Sequence, residues 1–106
     1  MSKTKKQRLN AAGWKTGDAA DFLDLTPEEA ALVELRVVLA NYLRQYRTKK
    51  KLTQLQLAKE LNSSQSRVAK MEAGDPTVSI DLLLKSLLHL GASLKQLGRI
   101  ISTHAA

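Results

Sequence analysis

The sequence predicts an all-α fold of five helices behind an N-terminal extension. Apolar residues recur at helical spacing in five segments between Thr26 and Ile101, and hydroxyl residues that can cap a helix precede four of these segments. The length of 106 residues suits one compact domain with a modest core. We expect residues 1–25 to form a partly flexible arm with an acidic, aromatic segment. Residues 26–102 then form the domain, with its central part at about 53–73.

The first helix begins at TPEE, where Thr26 and Glu29 can form a capping box around Pro27. One apolar face continues to about Lys49 and comprises Leu32, Leu35, Leu39, Tyr42, Leu43 and Tyr46. A second apolar flank comprises Val33, Val37, Val38 and Ala40. A helix that is apolar on two sides needs two surfaces to pack on. These are either its own domain and a partner, or two parts of one domain.

Two short helices follow, separated by a brief turn. Thr53 and Gln56 form a second predicted capping box, and Leu57, Ala58 and Leu61 face inward. Asn62 suits a left-handed helix end, Ser64 caps the next helix, and Gly74 ends that helix after Ala73. A connection this short makes the two helices cross.

Two leucine-rich helices complete the domain. Ser79 caps the fourth helix, which ends at Gly91 and turns Ile80, Leu83, Leu84, Leu87 and Leu88 inward. The fifth begins at about Ser93 and carries Leu94, Leu97, Ile100 and Ile101, which we expect to close the core. Leu82 and Leu90 remain for another face.

Charge is unevenly distributed along the chain, whose formal net charge is +7. Residues 16–34 carry six acids and no base, whereas residues 44–70 carry eight bases and one acid. Each block alone is compatible with a solvated surface. Together they favour two partners, a polyanion for the basic block and a basic molecule for the acidic block.

Composition also excludes several classes of function. The absence of cysteine excludes disulfides, thiolate nucleophiles and cysteine-based zinc sites, and it favours a reducing cytoplasm. No apolar run approaches the about 20 residues of a membrane span. No catalytic motif or paired-carboxylate site occurs, and His89 and His104 are isolated in the sequence. We expect a cytoplasmic protein that is not an enzyme and needs no metal or cofactor.

LTQ, LAKELN, SSQSRVAKMEAG and VSIDLLLKSLLHLGASLKQL resemble the helix-turn-helix domain of the lambda-repressor and Cro superfamily, often labelled XRE. The resemblance covers about Leu39 to Ile101, with Ala58 at the helix crossing. Ser63 stands where the family usually has an apolar residue, and Asn62 where glycine is common. The resemblance implies a five-helix lambda-repressor-like domain that binds double-stranded DNA.

The resemblance assigns DNA contacts to the second and third helices. In the major groove, we expect base contacts from Gln65, Ser66, Arg67 and Lys70, with glutamine suited to adenine and arginine to guanine. We expect phosphate contacts from Lys49, Lys50, Lys51, Thr53, Gln54 and Ser64. Each of these side chains has a simpler alternative as a solvated surface residue. Arg47 is expected to pair with Glu72 and join the first helix to the third.

Besides DNA, we expect two protein partners, a second copy of the chain and a basic toxin. We expect a homodimer whose interface is either the first or the last helix. Such a dimer places the third helices of its two subunits about 34 Å apart on a palindromic operator. The stretch from Gly13 to Arg36 also resembles small HigA-type antitoxins, which bind basic RNA-cleaving toxins. Toxin contacts then fall on Trp14, Asp18, Asp21, Phe22 and Asp24. The alternative is a stand-alone repressor in which the aromatic residues belong to a local core.

Overall fold

The computed structural model describes residues 24–104 and contains five α-helices in that range. They are α1 (Pro27–Lys49), α2 (Gln54–Glu60), α3 (Gln65–Glu72), α4 (Ile80–His89) and α5 (Leu94–His104). The described residues contain no strand, so the predicted all-α class is confirmed. The chain divides into two units between Leu35 and Arg36, and the core described below belongs to the second.

The predicted capping boxes of α1 and α2 are both present. The Thr26 N–H donates to Glu29 Oε1 at 2.9 Å, and the Glu29 N–H donates to Thr26 Oγ1 at 3.1 Å. The reciprocal bonds between Thr53 and Gln56 measure 2.8 and 3.0 Å. Hydrogen bonds from the backbone and side chain of Thr26 lower the pKa of Glu29. Each box satisfies two N–H groups that a helix start otherwise leaves without a partner.

The first four helices end in the same hydrogen-bonded motif. After α2, Asn62 has a φ of 53°, and the N–H of Ser63 donates to the carbonyl of Ala58 at 2.8 Å. This pair of features defines a Schellman motif. The motif recurs after α1, α3 and α4, where the left-handed residue is Lys51, Gly74 or Gly91. The predicted ends at Asn62, Gly74 and Gly91 are confirmed, whereas the left-handed Lys51 was not predicted.

Apolar side chains from four helices, most of them leucines, form the core of the second unit. Fully buried side chains are Leu39, Leu43, Leu57, Val68, Met71, Leu83 and Leu87. Ser86 is a buried polar residue whose hydroxyl donates to the Leu82 carbonyl at 2.7 Å and lies 3.6 Å from Met71 Sδ. The hydroxyl therefore enters the core without losing its hydrogen bond.

Helical periodicity explains which apolar residues were predicted on the wrong side of their helix. Leu88 is exposed although we expected it to face inward, because about 100° of rotation per residue puts it about 140° from Leu83. Leu90 returns to the inward side and is buried, so it does not serve another face. On α5, Leu97 and Ile100 are buried, while Leu94 and Ile101 lie on one flank with exposures of 77% and 37%.

Corresponding corrections apply to α1. Leu39 and Leu43 are buried as expected, but Leu32 is 45% exposed and the two tyrosines of the predicted apolar face are half-buried. Tyrosine keeps its hydroxyl near water while its ring covers apolar surface, which explains the partial burial. Ala40, on the predicted second flank, is buried.

Both histidines have side-chain partners and are not isolated in space. The Nε2 of His89 lies 2.7 Å from Glu60 Oε1 and links α4 to α2 on an exposed surface. The Nε2 of His104 lies 3.3 Å from the Tyr42 hydroxyl, and the two rings meet edge to face. These contacts give the histidines structural roles at helix junctions.

Candidate nucleic-acid interface

Helix α3 separates its polar and apolar residues sharply. Ser64 precedes the helix as its N-cap, and its hydroxyl oxygen accepts from the Arg67 N–H at 3.1 Å. Val68 and Met71 are fully buried, whereas Gln65, Ser66, Arg67 and Lys70 are exposed. The first turn of α3 therefore presents amide, hydroxyl and guanidinium groups to solvent.

A largely buried ion pair fixes α3 against α1. Arg47 donates from Nε to Glu72 Oε2 and from its second terminal nitrogen to Glu72 Oε1 at 3.0 Å. Its remaining nitrogen donates to the Leu52 carbonyl at 2.7 Å, in the corner that leads to α2. The bonds to Glu72 raise the pKa of Arg47, although burial opposes the rise. The predicted pairing of Arg47 with Glu72 is thus confirmed.

The side chain of Gln54 joins this ion pair. Its amide nitrogen donates to Glu72 Oε1 at 3.2 Å, and the residue is half-buried. The amide nitrogen carries a second hydrogen, which can donate to a phosphate while that bond persists. Thr53 and Ser64 use their hydroxyl oxygens as acceptors for backbone N–H groups. Their hydroxyl hydrogens can still donate to a phosphate.

A polar cleft of about 260 Å³ lies beside the exposed side of α3. It is lined by Ser64, Ser66, Arg67, Lys70, Thr77 and Val78. Two of these side chains are cationic and three carry hydroxyls, a combination suited to phosphate oxygens. The sequence predicted neither Thr77 nor Val78 at the interface.

Local hydrogen bonds shape the loop that supplies Thr77 and Val78. The backbone N–H and hydroxyl of Thr77 donate to Asp75 Oδ1 at 2.8 and 2.6 Å. The bond from the Thr77 hydroxyl and then that from its backbone N–H lower the pKa of Asp75. Arg36 Nε donates to the Val78 carbonyl at 3.0 Å and ties the loop to α1. The sequence DPT is a turn signal that could have located this loop, but nothing local predicts the bond from Arg36.

The predicted phosphate-contacting lysines are exposed but have different surroundings. Lys49 and Lys50 line a separate cleft with residues of α1 and α5. Lys51 occupies the left-handed position at the end of α1, with a φ of 59°. Asp24 is exposed, with a φ of 54°. The other predicted toxin contacts (Trp14, Asp18, Asp21 and Phe22) lie outside the described residues.

The described part of the chain forms neither a metal cluster nor a membrane span. Between residues 24 and 104, no three histidine or acidic side chains lie close enough to hold a metal ion. No described helix has the length and apolar character required to cross a membrane.

A family model described as helix-turn-helix matches residues 43–97, more than half of the chain. The chain belongs to this helix-turn-helix family. The match runs from the second half of α1 into α5 and includes all of α2, α3 and α4. No curated protein and no solved structure gives a significant match.

Membership in the family establishes the general function. This helix-turn-helix protein is a DNA-binding transcriptional regulator. The family is regulatory and generally non-enzymatic. The match includes α3 and the ion pair that fixes it, so the exposed residues described above lie within the matched range.

Proposed function

We propose that the protein is a sequence-specific repressor that inserts α3 into the major groove of a palindromic operator. The observation that carries this proposal is the exposed first turn of α3 above two fully buried residues, Val68 and Met71. A helix in the major groove must present polar side chains outward without weakening its attachment to the core. The Arg47–Glu72 pair supplies part of that attachment.

Each exposed residue of α3 has a distinct role in the proposal. Gln65 presents a donor and an acceptor together and suits adenine, while the guanidinium of Arg67 suits the two acceptors of guanine. Ser66 is compatible with several bases. Lys70, one turn later, contacts either a base or a phosphate, and it lines the cleft with Arg67.

The basic corner between α1 and α2 supplies the proposed phosphate contacts. Lys49, Lys50 and Lys51 precede Thr53 and Gln54 at the start of α2, and Ser64 adds its hydroxyl at the start of α3. Lys51 occupies a left-handed position, which costs about 1 kcal/mol relative to glycine. Its exposed ammonium group can nevertheless contact a phosphate.

The experiment that tests base recognition begins with selection of a binding site from random duplexes. Gln65→Ala and Arg67→Ala are then compared with Arg44→Ala, which removes an exposed arginine from α1. Each α3 variant should lose about 1–3 kcal/mol of discrimination between the selected site and single-base variants. Fluorescence anisotropy measures both affinities. Unchanged discrimination in both α3 variants would show that α3 does not contact the bases.

Salt dependence tests the lysine contacts. Replacing Lys49, Lys50 and Lys51 by glutamine should weaken binding to all duplexes, and the salt slope should fall by about 1 for each phosphate that the protein no longer neutralises. Lys85→Gln removes an exposed lysine from α4 and serves as the control. A slope equal to that of the wild type would assign the three lysines to a solvated surface.

We further propose a homodimer, because one recognition helix gives limited affinity. The exposed Leu94 and Ile101 favour α5 over α1 as the interface. Sedimentation equilibrium should show a dimer that Leu94→Asp converts to a monomer. A dimer that survives this change would favour α1.

The antitoxin role is the more specific proposal, with a stand-alone repressor as the alternative. Six acids and no base in residues 16–34 suit a basic partner, and the resemblance to HigA-type antitoxins covers the same stretch. Co-expression with the small protein encoded beside the gene tests it. A stoichiometric basic partner that is lost on replacing Trp14 and Phe22 supports the antitoxin. A homodimer recovered alone that still binds its operator supports the stand-alone repressor.

A further inference from the structure

A cleft of about 630 Å³ lies between the C-terminal half of α1 and the corner that joins α4 to α5. Tyr42, Tyr46, Lys49 and Lys50 follow one face of α1 and form one wall. None of these side chains belongs to the cleft beside α3. The volume falls within the about 300–1,000 Å³ of small-molecule sites.

Other described lining residues come from the α4–α5 corner and from α5. Leu90 is buried and lines the cleft, and Gln96 contributes from the first turn of α5. The Gln96 side-chain oxygen accepts from the Ser93 N–H at 2.8 Å, which leaves the amide NH₂ group to donate to a ligand. Gln45 adds a second amide from α1.

The charge of the cleft favours an anion. Lys49 and Lys50 are exposed, and none of the described residues that line the cleft is acidic. Lys50 extends over the corner: a Cβ atom on Gly91 would lie 3.8 Å from its Nζ and 3.9 Å from its Cε. The ammonium group therefore lies close to the backbone of the corner.

The tyrosine rings favour a ligand that also carries a flat ring. Tyr42 and Tyr46 are half-buried, and they lie on the same wall as the two lysines. Aromatic side chains stack on flat rings such as those of nucleobases, and this stacking contributes to binding. Tyr42 also has its hydroxyl 3.3 Å from His104 Nε2, so its position is supported from α5.

We propose that this cleft binds a small anion that carries a flat ring, with the anionic group on Lys49 and Lys50 and the ring against the tyrosines. A phosphate on a nucleoside and a carboxylate on an aromatic ring share this chemistry. The inference shares Lys49 and Lys50 with the proposed phosphate contacts, but it uses no residue of α3 and its test contains no DNA, so its failure can be distinguished from a failure of operator recognition.

The test is a titration of the full-length protein followed by ¹H–¹⁵N NMR. The probes are adenosine monophosphate, 4-hydroxybenzoate, adenosine and inorganic phosphate. One or both of the first two should bind with a Kd below about 1 mM and shift the amides of Tyr46, Lys50, Gly91 and Gln96. Binding of only one identifies phosphate or carboxylate as the anionic group. Adenosine lacks the anion and phosphate lacks the ring, so both should bind at least tenfold more weakly.

Variants assign the binding to the cleft. Lys49→Gln with Lys50→Gln should weaken binding of the preferred probe at least tenfold, and Tyr46→Leu should weaken it about fivefold or more. Lys85→Gln, on the exposed surface of α4, should leave the affinity unchanged. Thermal unfolding of each variant identifies any loss of fold, and either the lysine or the tyrosine variant alone tests the site.

Three results would overturn the proposal. The first is that neither ring-bearing anion shifts the cleft amides at millimolar concentration. The second is that inorganic phosphate binds as tightly as adenosine monophosphate, which would remove the role of the ring. The third is that Lys85→Gln weakens binding as much as the paired change at Lys49 and Lys50, which would indicate attraction by overall charge.

Discussion

Replacing Arg47 with methionine should destabilise the protein by about 3 kcal/mol. Arg47 makes two bonds to Glu72 and one to the Leu52 carbonyl, and the two side chains are only 12% and 6% exposed. The change leaves the Glu72 carboxylate with the amide of Gln54 as its remaining partner among the described residues. Removing one member of a buried ion pair costs about 3–5 kcal/mol, and the residual exposure of Arg47 places this pair at the lower end.

The double variant Arg47→Met with Glu72→Leu separates two contributions to that loss. If the loss comes mainly from an uncompensated buried carboxylate, removing the carboxylate should restore about 1–2 kcal/mol. The Leu52 carbonyl loses its donor in both variants, so recovery should be incomplete. Arg44→Met removes an exposed arginine from the same helix and should change stability by less than about 0.5 kcal/mol.

Urea unfolding followed by far-ultraviolet circular dichroism gives the free energies of unfolding for the wild type, the two Arg variants, Glu72→Leu and the double variant. A cost of less than about 1 kcal/mol for Arg47→Met would refute a stabilising role for the buried pair. Additivity of the Arg47 and Glu72 substitutions within about 0.5 kcal/mol would refute it as well, because the two side chains would then act independently.

Three smaller predictions concern turns and pH. Lys51→Gly should stabilise the protein by about 1 kcal/mol in urea unfolding, because glycine adopts a φ of 59° without the strain of a side chain; an unchanged or lower midpoint would contradict this. Ser63→Ala should raise stability by about 1 kcal/mol, because the buried Ser63 hydroxyl has no hydrogen-bond partner among the described residues; a loss of stability would indicate that the hydroxyl is satisfied. The pKa of Asp75 is lowered below its ordinary value of 3.8, so its contribution is full above that pH and is lost as the pH falls through the folded-state pKa. Asp75→Asn should therefore flatten the pH dependence of the urea midpoint below about pH 4, and an unchanged slope would exclude this contribution.

Local signals made the helix boundaries predictable. The bonds of Thr53 with Gln56 and of Ser64 with Arg67 join residues three apart. A short stretch of sequence therefore shows both partners of each bond. The left-handed position of Asn62 follows from the same local chemistry. The Arg47–Glu72 pair is different, because its partners are 25 residues apart and only the family resemblance predicted it.

The errors arose where orientation or distant contacts decide the outcome. Leu88 and Leu94 lie in correctly predicted helices, but helical spacing alone does not fix which side of a wide apolar band faces the core. Arg36 bonds to the Val78 carbonyl 42 residues away, and no local pattern predicts that contact. The base-contacting residues remain predictions, because contact with DNA depends on a second molecule.

The division of α3 into two buried and several exposed residues has a consequence for how this regulator can evolve. Val68 and Met71 hold the helix to the core, and Glu72 fixes its end, so the identities of Gln65, Ser66 and Arg67 contribute little to packing. Substitutions at these three positions can therefore accumulate with little loss of stability. A duplicated copy of the gene could acquire a new set of target promoters through a few surface changes, while its scaffold stayed the same.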